Sequence, residues 1–314
     1  MRRRFASESG QALVMTVVFL VVLVGATAIT IDFGAWYRQQ RQAQATADAA
    51  ALAGAQALPT DPSQALTLAE QYAAANGGGI APSDISFPSN NTILVHAKRT
   101  SPSFFARLFS FGTVTVHATA AARASVPSEV YGAAPIVVNK EHPDLTGVAC
   151  GQTTPCFGNE TTVPLDPNGA PGAFGFTNLA PATNNGVPPL AQWIQYGFNG
   201  YLPLGNYDSD PGAKFNSDGI PAALTARLGT ELLFPVYDLL QGGGSVATYR
   251  VIGWVGFHLD CFGLATSSTN CSQPHGTHAT LTGYFTRVIW DGLPSSSSQN
   301  QPPDFGVYSV SLVN

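Results

Sequence analysis

"ALVMTVVFLVVLVGATAITIDFGAWYRQQRQAQATADAAALAGAQALP", residues 12–59, sets the architecture of this chain. Ala12 to Ile31 carries no charge. At 1.5 Å per residue, a helix of that length spans roughly 30 Å, the thickness of a bilayer core. A secretory signal peptide offers a shorter apolar run of roughly 7–15 residues, followed by a small-residue cleavage site. Here the helical pattern continues instead, without a proline, until Pro59. The expectation is a retained membrane span over 12–31 that runs into a helix over 32–58.

Arg2, Arg3 and Arg4 precede the span, and Arg38 and Arg41 follow it. Three against two favours a cytoplasmic N-terminus and places the rest of the chain outside the membrane. Trp36 and Tyr37 fall where an interfacial aromatic belt belongs. The lipid bilayer is therefore the first expected partner.

Composition agrees with that division. Only 11% of the 314 residues are charged, whereas Gly (32) and Pro (23) are abundant. Such a mix suits a loop-rich, β-rich body with membrane content. Net charge is −5, and residues 131–314 hold five Lys/Arg against twelve Asp/Glu. That balance excludes a large basic field, so nucleic acid is not an expected partner.

The alanine-rich part has a physical reading of its own. Alanine is the best helix former and loses no side-chain entropy. Ala47, Ala50, Ala51, Gly54, Ala55 and Leu58 recur at three- and four-residue steps and form one smooth face. Small residues let another element approach closely. Two occupants fit: the protein's own sheet, or a partner helix that would give a homo-oligomer. Asp48 beside this face reads as solvated or paired with an arginine.

After Pro59, "TDPSQALTLAEQYAAANGGG" predicts a helix over 61–76, capped by Thr60 or Asp61 with Pro62 in its first turn. "DISFP" and "TILVHAKRT" predict a hairpin around "SNN". Phe104, Phe105, Leu108 and Phe109 fall at helical spacing and predict a short amphipathic helix. "TVTVHATAAARA" returns to alternation and predicts a strand. Residues 1–127 thus form one unit with a small sheet over 84–125. Residues 128–135 read as a linker, and 136–314 as a β-rich domain. In that domain the strong runs are "PIVVN", "FGFTNL", "ELLFPVYDLL", "ATYRVIGWVGFHLDC", "HATLTGYFTRVIW" and "GVYSVSLV". Two helices, "PPLAQWIQYGF" and "GIPAALTARLG", interrupt them.

All four cysteines lie beyond residue 149: Cys150 and Cys156 in "CGQTTPC", Cys261 and Cys271 in "CFGLATSSTNC". Four cysteines allow three pairings; the local one is favoured because each pair brackets a Gly/Thr/Ser loop. An oxidising, extracytoplasmic setting suits disulfides. A zinc site is the rival, but neither spacing is CxxC.

Chemistry is sparse. His258, Asp260, His275 and His278 supply metal-donor types, yet "SQPHGTHATL" reads as a turn entering a strand, with solvated histidines. Asp208 and Asp210 in "GNYDSDPG" read as turn residues or a calcium loop without the EF-hand pattern. "QGGGS", 241–245, lacks the GK[ST] of a phosphate loop, and no GxSxG occurs. Trp193, Tyr196, Phe198 and Tyr201 make either a glycan surface or core. No cofactor or catalytic set is expected.

The order Gly10, Gln11, apolar helix, Asp32, Trp36, Tyr37, Arg38, Arg41 and the box Ala47 to Ala55 resembles the Tad family, the TadE/TadG-like N-terminal domain of Flp-type pilus assembly proteins. "SFFARLF" and "TVTVHATAAARA" fit its usual ending, so the resemblance covers roughly residues 5–127. It implies a small pilin-like α+β unit on a membrane helix, an α+β fold overall, and a single-pass protein of the bacterial plasma membrane. It also implies a structural or anchoring role in tight-adherence pili, adhesion or related secretion, pilus-assembly or secretion partners, and no enzymatic activity. Two departures are visible. Pseudopilins are usually cut after a glycine with glutamate five residues later, but Gly10 is followed at that distance by Met15. The DxSxS motif of a von Willebrand A domain is missing as well. Residues 131–314 resemble tails on some Tad-domain proteins. For them an alternative is an extracellular module that binds glycan or calcium, or a hydrolase.

Overall fold

The apolar run and the alanine face lie on one unbroken helix. In the computed structural model, which describes residues 9–110, 112–165, 175–180, 187–210, 217, 219–243, 246–263, 271, 279–294 and 301–313, α1 extends from Ser9 to Ala55. The fold is α+β: a long N-terminal apolar helix, then a β-rich domain with short helices. The chain divides into two compact units, residues 1–124 with 310–314, and residues 125–309.

In the first unit, α1 ends where Gln56, Ala57 and Leu58 tighten to i−3 hydrogen bonds on Ala53, Gly54 and Ala55. Pro59 disfavours helix at the residue before it, so the chain turns. α2, Pro62–Ala75, is capped by the Asp61 carboxylate, which accepts the Gln64 N–H. β1, Ile85–Ser89, and β2, Thr92–Pro102, form the expected hairpin. β2 pairs with β3, Thr113–Ser125, over eleven registered positions from Thr92↔Arg123 to Pro102↔Thr113. Ile93, Val95 and Ala97 of β2 stand opposite Ala122, Ala120 and Ala118 of β3, and all six are buried. Alternation with a period of two puts them on one face, and the alanines keep that face shallow.

The amphipathic helix expected over 104–109 is only a single 3-10 turn, Ala106–Phe109. The turn stops at Ser110, whose left-handed backbone (φ 69°) ends the helical hydrogen bonding before a second turn forms.

The second unit begins earlier than the sequence suggests. Where a linker over 128–135 is expected, Pro127–Tyr131 is a strand, β4. β5 is Val138–Asn139, followed by α3, Pro143–Thr146, β6, Glu160–Pro164, and α4, Val187–Tyr196. β7, Tyr201–Pro203, β8, Gly205–Asp208, and α5, Gly219–Thr225, follow. The long strands are β9, Glu231–Gln241, and β10, Thr248–Gly263; β11, Thr280–Thr286, comes next. β12, Val288–Ile289, β13, Gly292–Pro294, and β14, Val307–Val313, complete the chain.

The main sheet has the order β5-β9-β10-β11-β6, with β8 pairing β10 beside β11. Except for β5 on β9, its pairs are antiparallel. β10 is buried along most of its length, so its side chains fill both faces. Phe234 and Phe257 stack with centroids 5.2 Å apart, and Phe285 meets Phe257 edge-on at 5.4 Å. Leu190 and Ile194 of α4 and Ile220 and Leu224 of α5 close this core. β13-β4-β7 form a small second sheet.

Candidate functional site

The feature with most structure behind it is the length of α1, which changes character at Asp32. From Leu13 to Ile31 its large side chains are exposed, Leu13 at 68% and Ile29 at 62%. Thr16, Thr27 and Thr30 turn their hydroxyls back to donate to Ala12, Leu23 and Ala26 carbonyls at 2.8–2.9 Å. That satisfies the only side-chain polar groups of the run within the helix itself. α1 is long and apolar enough to cross a membrane.

At Asp32 burial begins. Its carboxylate accepts the N–H of Phe104 at 2.7 Å, Phe105 at 3.0 Å and Ala106 at 2.6 Å. Desolvation opposes the charge, but these three donors outweigh it and hold the carboxyl below its usual range. One turn on, Arg41 donates to the Tyr37 hydroxyl at 3.0 Å, with its guanidinium near the Tyr37 ring. Gln40 and Gln44 reach the β3 carbonyls of His117 and Thr119. Asp48 is half-buried and accepts from Gln44 at 2.7 Å, with no arginine on it among the described residues.

The alanine face is occupied. Ala47, Ala50, Ala51 and Ala55 have no exposure, Leu58 has 2%, and Gly54 is buried. A Cβ on Gly54 would stand 2.5 Å from Ile93 Cδ1, 2.9 Å from the Ala65 carbonyl oxygen and 3.2 Å from Ala69 Cβ. α2 and β2 of the same chain therefore take the place open to a partner helix. A homo-oligomer built on this face would have to displace them.

Sequence reasoning missed one network here. Thr46, fully buried, donates to both Gln42 and Asn76 carbonyls, and Arg99 of β2 donates to Thr46 Oγ1 and the Asn76 carbonyl at 3.1 Å. It joins α1, the end of α2 and β2. Its only signal was a threonine among alanines.

In the second unit, disulfides join Cys150 to Cys156 and Cys261 to Cys271. Of the four metal-donor candidates, His258 and Asp260 are described. His258 Nδ1 lies 3.1 Å from Glu231 Oε1 and its Nε2 3.7 Å from Asp260, while the ring stacks on Tyr284. His275 and His278 lie outside the described residues. Among the described residues, no group of three or more His, Cys, Asp or Glu is placed to hold a metal ion. Asp208 belongs to a strand paired with β10, so "GNYD" is not a turn. Asp210 is buried at 2%. Gly242 and Gly243 follow β9, and the rest of that glycine run lies outside the described residues.

The four aromatics divide. Trp193 and Phe198, half-buried, meet edge-on at 5.5 Å against the core, whereas Tyr196 is 75% and Tyr201 45% exposed. Tyr201 donates to Asp291 at 3.0 Å and meets the Tyr131 ring edge-on. Beside it is a cavity of about 330 Å³ lined by Phe198, Tyr201, Leu204, Asn206, Tyr207 and Asp208, among others.

An exposed apolar helix that becomes the core of an α+β unit defines the class: a protein whose fold is built onto a candidate membrane helix. Residues 10–57 match the model of the Tad family, TadE/G-like Flp pilus assembly. That stretch holds the apolar run, Asp32 and the alanine face up to Ala55, and over it the N-terminal helix is similar to TadE/G-like proteins. No curated protein matches the chain, and no solved structure does.

Proposed function

We propose that this protein is a single-pass envelope protein with a structural role in assembling or anchoring Flp-type pili. The observation that carries this is the single helix α1. It joins a bilayer-length apolar surface to a buried packing core, and it matches a pilus-assembly family over that same stretch. Residues 12–31 cross the plasma membrane, Arg2–Arg4 stay in the cytoplasm, and the disulfide-braced second unit stands outside. The role is non-enzymatic and its partners are membrane proteins of the pilus system.

The test is deletion of the gene, with complementation by the full chain or by one lacking residues 1–31. The reading expects loss of surface pili and adherence, restored by the full chain alone. Normal piliation in the deletion strain would overturn it.

A second reading applies to the outer unit alone. The cavity beside Tyr201 combines aromatic walls with Asn206 and Asp208, a combination suited to a sugar. Isothermal titration with a glycan panel tests it, and Tyr201→Ala should abolish any binding found.

A further inference from the structure

Residues 104–108 have no explanation in the packing of the first unit. Phe104 is 60% exposed, Phe105 37% and Leu108 81%. Soluble surfaces scatter single apolar residues, but three large ones on one short turn call for a partner. The turn is well defined. Asp32 holds its first three N–H groups, and Ser110, at φ 69°, closes it before β3.

Its location identifies the partner. Asp32 is the first charged residue after the apolar run, and its short side chain holds the 104–106 backbone within hydrogen-bond distance. The turn therefore lies level with the exit of the span, at the height of the exposed Phe33 (63%) on α1. Its apolar side chains are exposed at the end of an exposed apolar run, and Arg107 lies in the same turn. Apolar side chains with a neighbouring cation are what an anionic headgroup region accepts.

We infer that residues 104–108 are a second membrane contact: Phe104, Phe105 and Leu108 enter the headgroup–acyl boundary of the leaflet from which α1 emerges, and Arg107 meets anionic headgroups. Asp32 is then a clamp that fixes this wedge to the anchor. The inference rests on the reading of α1 as a membrane span.

The test uses the full chain, reconstituted in phosphatidylethanolamine/phosphatidylglycerol vesicles. Single cysteines introduced by Leu108→Cys, Phe104→Cys, Ile29→Cys or Tyr72→Cys carry an environment-sensitive NBD label. Lipids bearing a nitroxide on the upper acyl chain serve as quencher. All four positions are exposed, so the substitutions leave the core untouched. Labels at 108 and 104 should be blue-shifted and quenched like that at 29, while the label on α2 at 72 stays bright. Quenching at 108 should rise with the phosphatidylglycerol fraction and lose that dependence in Arg107→Glu. If 29 is quenched but 108 and 104 report water, the wedge is wrong and the anchor stands. If labels at 108 and 104 are shielded from both lipid nitroxide and aqueous iodide, a protein surface covers the turn and the wedge is again wrong. If 29 itself is not quenched, the anchor reading fails and the wedge with it.

Discussion

The Asp32 carboxylate accepts the backbone N–H of Ala106 at 2.6 Å across 74 positions of sequence. One charged side chain at the end of an apolar run thus fixes the turn that precedes β3. Asp32→Ala removes the buried acceptor from the three N–H donors of Phe104, Phe105 and Ala106. Amides 104–106 should then exchange with solvent faster, on the order of tenfold or more, while α2 amides change little. Hydrogen exchange by mass spectrometry reads both. Unchanged protection at 104–106 would show that the clamp is not needed.

Gly54 has no room for a methyl group. Ala is worth roughly 1 kcal/mol more than Gly in a helix. The Ala65 carbonyl, 2.9 Å from the new Cβ, is backbone and cannot swing away. Overpacking of this kind costs about 1–3 kcal/mol. Gly54→Ala should therefore lower the melting temperature of the first unit despite the helix gain, whereas Gly34→Ala, with nothing within 4 Å, should not. Calorimetry of the detergent-solubilised chain compares the two.

Both disulfides belong to the second unit. Each closes a short loop, of six and ten residues' separation. Loop-closure entropy assigns each about 2–3 kcal/mol. Reduction should lower the melting transition of the second unit and leave that of the first, which has no cysteine, in place. Thermal denaturation with and without a phosphine reductant resolves this.

Stability should fall on both sides of neutrality. Asp84, bound by Lys98 at 2.8 Å, and Asp238, bound by Arg250 at 2.6 Å, are held below the usual carboxylate range, as is Asp32. A carboxyl depressed in the folded state contributes stability above its unfolded pKa, about 4, and loses it as pH falls through the folded value. Melting temperature should be flat near neutrality and drop below about pH 4. Burial pushes the Tyr207 and Tyr249 hydroxyls up to about 12. That contribution is complete below pH 10 and is lost as pH rises toward 12, so the second unit should soften in alkali. A pH series of thermal melts checks both limbs. Equal stability at pH 3 and pH 7 would contradict the acid limb.

Local physics made much of the first unit legible. A chargeless run of bilayer length, a proline-free helix and the capped helix after Pro62 depend on neighbours in sequence, so "ADAAALAGA" could be read as a smooth helical face. Sequence also predicts the hairpin at Asn90–Asn91 and the strong strands β9, β10 and β11, because each carries its own periodicity or apolar density. The short strands β4, β6, β7, β8 and β13 were not legible, since three to five residues carry little period. What covers the alanine face, which N–H groups Asp32 holds, and that Thr46 and Arg99 share Asn76 were decided only in three dimensions. Periodicity states which face is apolar. Only tertiary contact between residues dozens of positions apart states what that face meets, because the partner's distance along the chain leaves no trace in the pattern.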